Sequence, residues 1–249
     1  MIKLAIVGSG NLAYHIYEAV LPLEEITLVG VLGRNPETLR DFDQVLTTTD
    51  PLALPAADLT IVAVSDDAIG KVTAGLQKKH GLLAHTSGAQ KLDAIQAERR
   101  GVCYPLQTFS KLRAVDFTNI PFCLEVHSED DFELLHHFAS QLSSRVEAMD
   151  SEQRKYLHLA AVYVNNFVNQ LYQTAYEILE DREIPFDLLQ PLILETAQKV
   201  IDQKPADVQT GPAKRGDESI MQAHLSIQSA ANQKIYQLLT TAIKNSQNT

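Results

Sequence analysis

The chain has 249 residues, 45% hydrophobic and 21% charged, with 11 Gly and 10 Pro, the composition of a globular protein with one large or two modest domains. Its 21 Lys and Arg against 31 Asp and Glu leave a formal charge of −10, which speaks against a nucleic-acid or anionic-membrane surface. No apolar run approaches the ~18 residues of a spanning helix, and Met1 leads directly into an apolar stretch with no leader, so a cytoplasmic location is expected.

The first element is the most informative. An apolar, β-branched run, Leu4–Val7, leads into Gly8-Ser9-Gly10-Asn11-Leu12-Ala13 and then an amphipathic segment, Leu12–Leu21. Strand, glycine turn and helix are the context in which G-x-G-x-x-A marks a dinucleotide site. Gly8 allows the tight turn, Gly10 lets a pyrophosphate approach the backbone, and Ala13 lets helix and strand pack closely. The free N–H groups at the helix start then face the anion. The expected cofactor contacts here are Gly8, Ser9, Gly10, Asn11 and Leu12. The alternative is an ordinary βα turn of another α/β fold.

Further strands are expected at Thr27–Leu32, Leu59–Val64, Leu82–His85, Val102–Tyr104 and Phe122–Val126, with a weaker one at Arg145–Ala148. Helical stretches fall at Pro36–Phe42, Asp67–Lys78, Lys91–Glu98 and Asp130–Ser143. Strands interleaved with helices predict a parallel sheet covered on both faces. From Asp150 the pattern changes. Asp150 and Gln153 resemble a capping pair, and apolar residues then recur at helical spacing from Leu157 to Ile178. A second helix is expected near Leu188–Ile201, then a polar loop, Asp202–Gly216, and a final long helix from Asp217. The reading is α/β, a Rossmann dinucleotide-binding domain over residues 1–150 followed by an all-α domain over 151–249. Cys103 and Cys123 lie in apolar strand-like contexts without partners at metal spacing and read as buried thiols; no metal ligands are expected.

The second strand ends Gly33-Arg34-Asn35-Pro36 without the carboxylate that favours NAD, so Arg34 and Asn35 point to NADP; the alternative is a solvent-facing loop arginine. Ligands of open α/β sheets bind outside the carboxyl ends of the strands, which brings in Val64, Ser65 and the turn His85–Ala89, with Ser87 near the nicotinamide. Asp66 and Asp67 also read as a helix N-cap, and His85–Ala89 also reads as a plain turn. In the second half, His158, Val162, Asn165, Asn169 and Tyr176 fall on one side of a regular helix. The loop Gln209–Glu218 carries Lys214 and Arg215 ahead of a helix capped by Asp217, with His224 on the same side; it suits an anion, or Arg215 simply braces Asp217.

Leu4–Ala13, Ala63–Ile69, His85–Ala89, Tyr104–Ser110, Leu157–Phe167 and the motif Thr210–Asp217 together resemble Rossmann-like proteins with a C-terminal domain of unknown function (the 2520 group). That group is assigned as NADP oxidoreductases of the coenzyme-F420-dependent type. More distantly, the layout is similar to pyrroline-5-carboxylate reductases and β-hydroxyacid dehydrogenases. The resemblance implies an NADP domain and a helical domain of the 6-phosphogluconate-dehydrogenase type that mediates dimerisation, and it supplies no substrate. Where many such proteins carry His before Pro-Leu-Gln this chain has Tyr104, and the Lys that β-hydroxyacid dehydrogenases place before an Asn-Asn pair is missing ahead of Asn165-Asn166. His158, one turn further back, is the nearby proton carrier.

These readings predict a homodimeric NADP-dependent reductase of a small, anionic carbonyl or imine metabolite. His158 serves as general acid/base, Asn165 orients the substrate and Arg215 holds its anionic part, converging near the nicotinamide opposite Ser87-Gly88. The rival is a non-catalytic NADP-binding regulator or scaffold. The sequence leaves open whether a deazaflavin is a co-substrate.

Overall fold

An apolar strand, a glycine turn and a helix open the chain: β1 spans Ile2–Val7 and α1 Asn11–Val20. The computed structural model describes residues 1–76 and 80–246. There follow β2 (Ile26–Leu32), α2 (Pro36–Leu39), β3 (Thr47–Thr48), β4 (Leu59–Val62), α3 (Ile69–Ala74), β5 (Leu82–His85), β6 (Arg100–Pro105), β7 (Phe122–Val126), α4 (Glu129–Leu142) and β8 (Val146–Ala148). These eight strands form one sheet in the order β3-β2-β1-β4-β5-β6-β7-β8. It is a Rossmann sheet, with the order reversing between β1 and β4. β4 and β5 are buried along their whole length, as strands covered on both faces must be. One apolar cluster gathers Leu4, Ile6, Ile61 and Phe122 and another Ala5, Val7, Val62 and Leu83, so alternate residues of β1 feed opposite faces.

The sheet departs from the expected all-parallel form at one place. β7 runs antiparallel to β6, because the chain between them, residues 106–121, carries no crossover helix and returns directly. The expected helix at Lys91–Glu98 is only a 3-10 turn, Leu92–Ala94. The Gln96 and Arg100 side chains donate to the Asp93 and Ala97 carbonyls, which a continuing helix would have used itself. Within the stretch expected as Asp67–Lys78, a 3-10 turn (Asp66–Ala68) precedes α3, while Gln77 and Lys78 lie outside the described residues. The two-residue β3 is too short to leave a periodic signal.

α5 (Ser151–Ala161) starts at a capping box, Asp150 accepting from the Gln153 N–H and Gln153 Oε1 from the Asp150 N–H. A π-helical run, Val162–Phe167, follows and then α6 (Val168–Glu180), so the long helix is not regular. The chain divides into two units, residues 1–166 and 167–249. The helical pattern thus begins at Asp150, while the first unit takes in α5 as well.

The second unit continues through α7 (Gln190–Asp202), α8 (Pro205–Val208), α9 (Pro212–Arg215), α10 (Glu218–Ser226) and α11 (Ala230–Asn245). The expected polar loop therefore contains two short helical turns, each led by Pro at its first position, where the missing N–H costs nothing. The expected single last helix is two helices, because Ser229 adopts an extended backbone and caps α11 through the Asn232 N–H. Among the described residues of this unit only Ala213 and Met221 are buried.

Candidate active site at the carboxyl ends of the strands

Gly8 has φ +125°, and a Cβ there would lie 2.1 Å from the Ala63 carbonyl oxygen, so the turn seats against the end of β4 only with glycine. Gly10 is the N-cap of α1 and lends no side chain to it. A Cβ at Gly10 would meet nothing within 4 Å, so the backbone there is open to a ligand. The first-turn N–H groups of α1 have no intrahelical acceptor, which leaves them and the helix dipole for an anion. Ser9 Oγ and Thr38 Oγ1, 2.6 Å apart, tie the turn to α2. Asn35 is committed locally, its Oδ1 accepting from the Glu37 N–H at 2.9 Å, while Arg34 is exposed beside it. Ala13 is fully buried.

The segment after β6 lies across the start of α1. Asn11 Nδ2 donates to the Phe109 carbonyl and His15 Nε2 to the Ser110 carbonyl, both at 2.9 Å. The Asn11 side-chain amide is therefore engaged by the protein.

After β4, Ser65 rather than Asp66 or Asp67 occupies the N-cap position, with no side-chain capping bond; both aspartates sit in the first turn, where the helix dipole favours them. Val64 is half-buried and Ser65 exposed at this strand end. β1, β4 and β5 are adjacent, so at 4.7–4.9 Å per strand the turn after β5 stands roughly 10 Å from the glycine turn.

That second turn is built around a neutral histidine. His85 Nδ1 accepts from the Ser87 N–H at 3.2 Å, so Nε2 carries the proton and donates to the Lys91 carbonyl at 3.1 Å. Burial pushes the His85 imidazole down to about 4. Ser87 Oγ accepts from the Ala89 and Gln90 N–H groups. Its own proton remains for another acceptor.

His158 of α5 reaches this turn. A Cβ at Gly88 would lie 2.6 Å from His158 Nδ1 and 2.7 Å from Tyr104 Cζ, so the imidazole and the phenol both rest on the Gly88 backbone. Tyr104 Oη and His158 Nδ1 are hydrogen-bonded at 3.1 Å, with the rings edge to face. Burial pushes the Tyr104 phenol up to about 12. One helical turn before His158, Arg154 is wholly buried. It pairs with Glu125 of β7 and donates to the Gln90 carbonyl at 2.6 Å and to Ser151 Oγ at 3.2 Å. Ser151 Oγ in turn donates to the Glu125 carboxylate at 2.8 Å and accepts from the Leu92 N–H at 3.2 Å. Arg154 and its partners thus fasten α5 to the exit of the β5 turn.

His158 thus lies against Gly88, in the turn that also carries Ser87. Asn165 lies in the π-helical run and is exposed. That run breaks the 3.6-residue period, since each wide turn adds about one residue, so the alignment of His158 with Asn165, Asn169 and Tyr176 no longer follows from spacing. Arg215 belongs to the second unit, where it is exposed and ends α9 before Gly216 at φ +70°. Asp217 caps α10 through the Ile220 N–H. His224 Nδ1 is 2.9 Å from Tyr236 Oη in the same unit. The sequence reading missed Arg154 and Glu125; a glutamate inside an otherwise apolar strand, Phe-Cys-Leu-Glu-Val, was the available signal. Cys103 and Cys123 are buried free thiols, and burial pushes both up. Among the described residues no cluster of three or more His, Cys, Asp or Glu could hold a metal, and no helix is long and apolar enough to cross a membrane.

Residues 120–243 match the family described as "Domain of unknown function (DUF2520)". Among solved structures, the Bacteroides fragilis protein BF3122, described as a candidate NADP oxidoreductase, is 38% identical, with 98% of each chain covered and a TM-score of 0.90. Protein TM1727 from Thermotoga maritima is 22% identical over 98% of this chain and 97% of its own, with a TM-score of 0.73. An imine reductase from Myxococcus stipitatus in complex with NADP+ shares the fold at 15% identity, covering 98% of this chain and 92% of its own, with a TM-score of 0.62. No curated protein sequence matches the chain.

Proposed function

The chain belongs to the DUF2520 family, and from its site we propose that it is an NADP-dependent oxidoreductase, a reductase of a small, anionic carbonyl or imine metabolite. The observation that carries the reading is the pairing of an uncapped helix start behind an open glycine turn with an imidazole resting on the next strand-end turn but one. Gly8 and Gly10 fit a pyrophosphate, Arg34 fits a 2′-phosphate, and Val64, Ser65 and Ser87 border the path between the two turns. NADPH bound there supplies a hydride. His158 donates the proton to the carbonyl oxygen or imine nitrogen, directly or through one water. Asn165, exposed in the same unit as His158, orients the substrate. The test is NADPH oxidation against a panel of keto acids and cyclic imines, with His158→Gln expected to slow turnover ~100-fold. NADPH binding without turnover of any panel member would favour the regulator instead.

Arg34 sets the cofactor choice in this reading. A charge-assisted bond to phosphate contributes about 1.5–3 kcal/mol, so Arg34→Ala is expected to weaken NADPH at least about tenfold and leave NADH nearly unchanged. Equal losses for both in a fluorescence titration would reject the assignment.

The second unit supports a homodimer. Leu188, Leu192, Leu194, Ile201 and Leu238 are each at least 62% exposed, and a helical unit with two buried residues among those described has too little core of its own. A second copy of the same helices supplies a self-complementary cover. Light scattering at micromolar concentration is expected to give twice the 27.6 kDa of the chain; a monomeric mass would overturn this.

A further inference from the structure

The phenol of Tyr104 has no role in the reading above, yet it is the hydrogen-bond partner of the proposed acid. We propose that Tyr104 is a positioning residue that fixes His158 as the Nε2–H tautomer, its O–H donating to Nδ1 so that the single imidazole proton sits on the opposite nitrogen. The inference rests on the reductase reading only for its consequence, a proton presented to substrate; the tautomer is a property of the protein alone.

Three observations support it. Tyr104 is 9% exposed, and its Oη has His158 Nδ1 as its partner among the described residues. If Nδ1–H donated instead, the phenol proton would be left without an acceptor in a buried site, the costlier arrangement. Nε2 has no partner among the described residues, whereas the other imidazole at this turn, His85, has both nitrogens engaged within the protein. The pair is also held by shape. Gly88 has an ordinary backbone conformation, so the requirement for glycine there is contact alone, the 2.6 Å and 2.7 Å approaches of the imidazole and the phenol. The ionisable groups bearing on the phenol are Arg154 and Cys123, and burial outweighs the Arg154 cation, so the phenol remains a donor at neutral pH.

The experiment is nitrogen NMR of the full-length, cofactor-free protein labelled at histidine, with the His158 signals identified by their loss in His158→Gln. Above the imidazole titration range, His158 is expected to show an unprotonated Nδ1 and a protonated Nε2, matching the pattern of His85. Tyr104→Phe keeps the ring and removes the donor, and it is expected to collapse the two His158 signals toward the averaged positions of an exposed histidine. Gly88→Ala, which removes no polar group, is expected to do the same by displacing the ring, while His85 keeps its pattern in both variants. A wild-type His158 that is averaged or carries Nδ1–H overturns the proposal, as does an unchanged pattern in Tyr104→Phe. The reductase reading fails separately: if the tautomer is fixed as stated but no panel substrate oxidises NADPH, Tyr104 still orients His158 and the activity is wrong.

Discussion

Arg154→Met is expected to destabilise the first unit by about 3–5 kcal/mol, a large share of the stability of a domain this size. The guanidinium is wholly buried and pairs with Glu125, whose side chain is 16% exposed. Removing it leaves that carboxylate with Ser151 as its remaining donor, and it frees the Gln90 carbonyl as well. The loss is a penalty for stranding partners, so the double variant Arg154→Met, Glu125→Leu is expected to recover most of it. The Lys91–Glu152 pair provides the contrast. Its side chains are 74% and 61% exposed, and there Lys91→Met is expected to cost about 1 kcal/mol or less. Urea unfolding of the three variants decides between these magnitudes. A loss below about 1 kcal/mol for Arg154→Met would mean that the pair contributes no more than a surface bridge. Because His158 lies one helical turn beyond Arg154, the variant is also expected to loosen the imidazole from Gly88 in protein that remains folded.

Much of the first unit was legible because local and tertiary signals agree there. Leu82–His85 and Phe122–Val126 fall where their apolar runs put them, and the glycine turn and the Asp150 capping box carry their own chemistry in sequence. What failed depended on partners far along the chain. Lys91–Glu98 has a helical pattern, but its carbonyls are taken by neighbouring side chains and Ile95 is drawn into the core. The π-helical run at Val162–Phe167 has no motif to announce it, and it removes the basis for the polar stripe. His158 was singled out for its chemistry, and the structure sets it against Gly88. Tyr104 was noted for the imidazole it lacks, whereas its phenol is what touches His158. Arg154 and Glu125 were overlooked because spacing shows neither their burial nor the pairing of residues on different elements.

Stability is expected to fall by about 3 kcal/mol as pH drops from 6.5 to about 4, through His85 alone. Its imidazole titrates near 6.5 when exposed in the unfolded chain and near 4 in the fold. Between those values the unfolded chain binds the proton and the folded chain does not, so stability rises with pH across the window. The contribution is fully present above 6.5 and gone below about 4. The structural reason is the turn itself. A protonated ring has two donors and no acceptor, so Nδ1 can no longer receive the Ser87 N–H, and the segment carrying Ser87 and Gly88 loses the bond that shapes it. Carboxylates elsewhere add their own acid sensitivity, Asp116 among them, held low by its Thr118 hydrogen bonds. The measurement is therefore the difference between the wild type and His85→Gln in urea unfolding across the window. The gap between the two curves is expected to narrow as pH falls, and NADPH affinity of the wild type to weaken over the same range as the turn opens. Parallel curves would place the His85 proton equilibrium in the fold no differently from that in the unfolded chain, and the neutral imidazole would then have no part in holding the turn on which His158 rests.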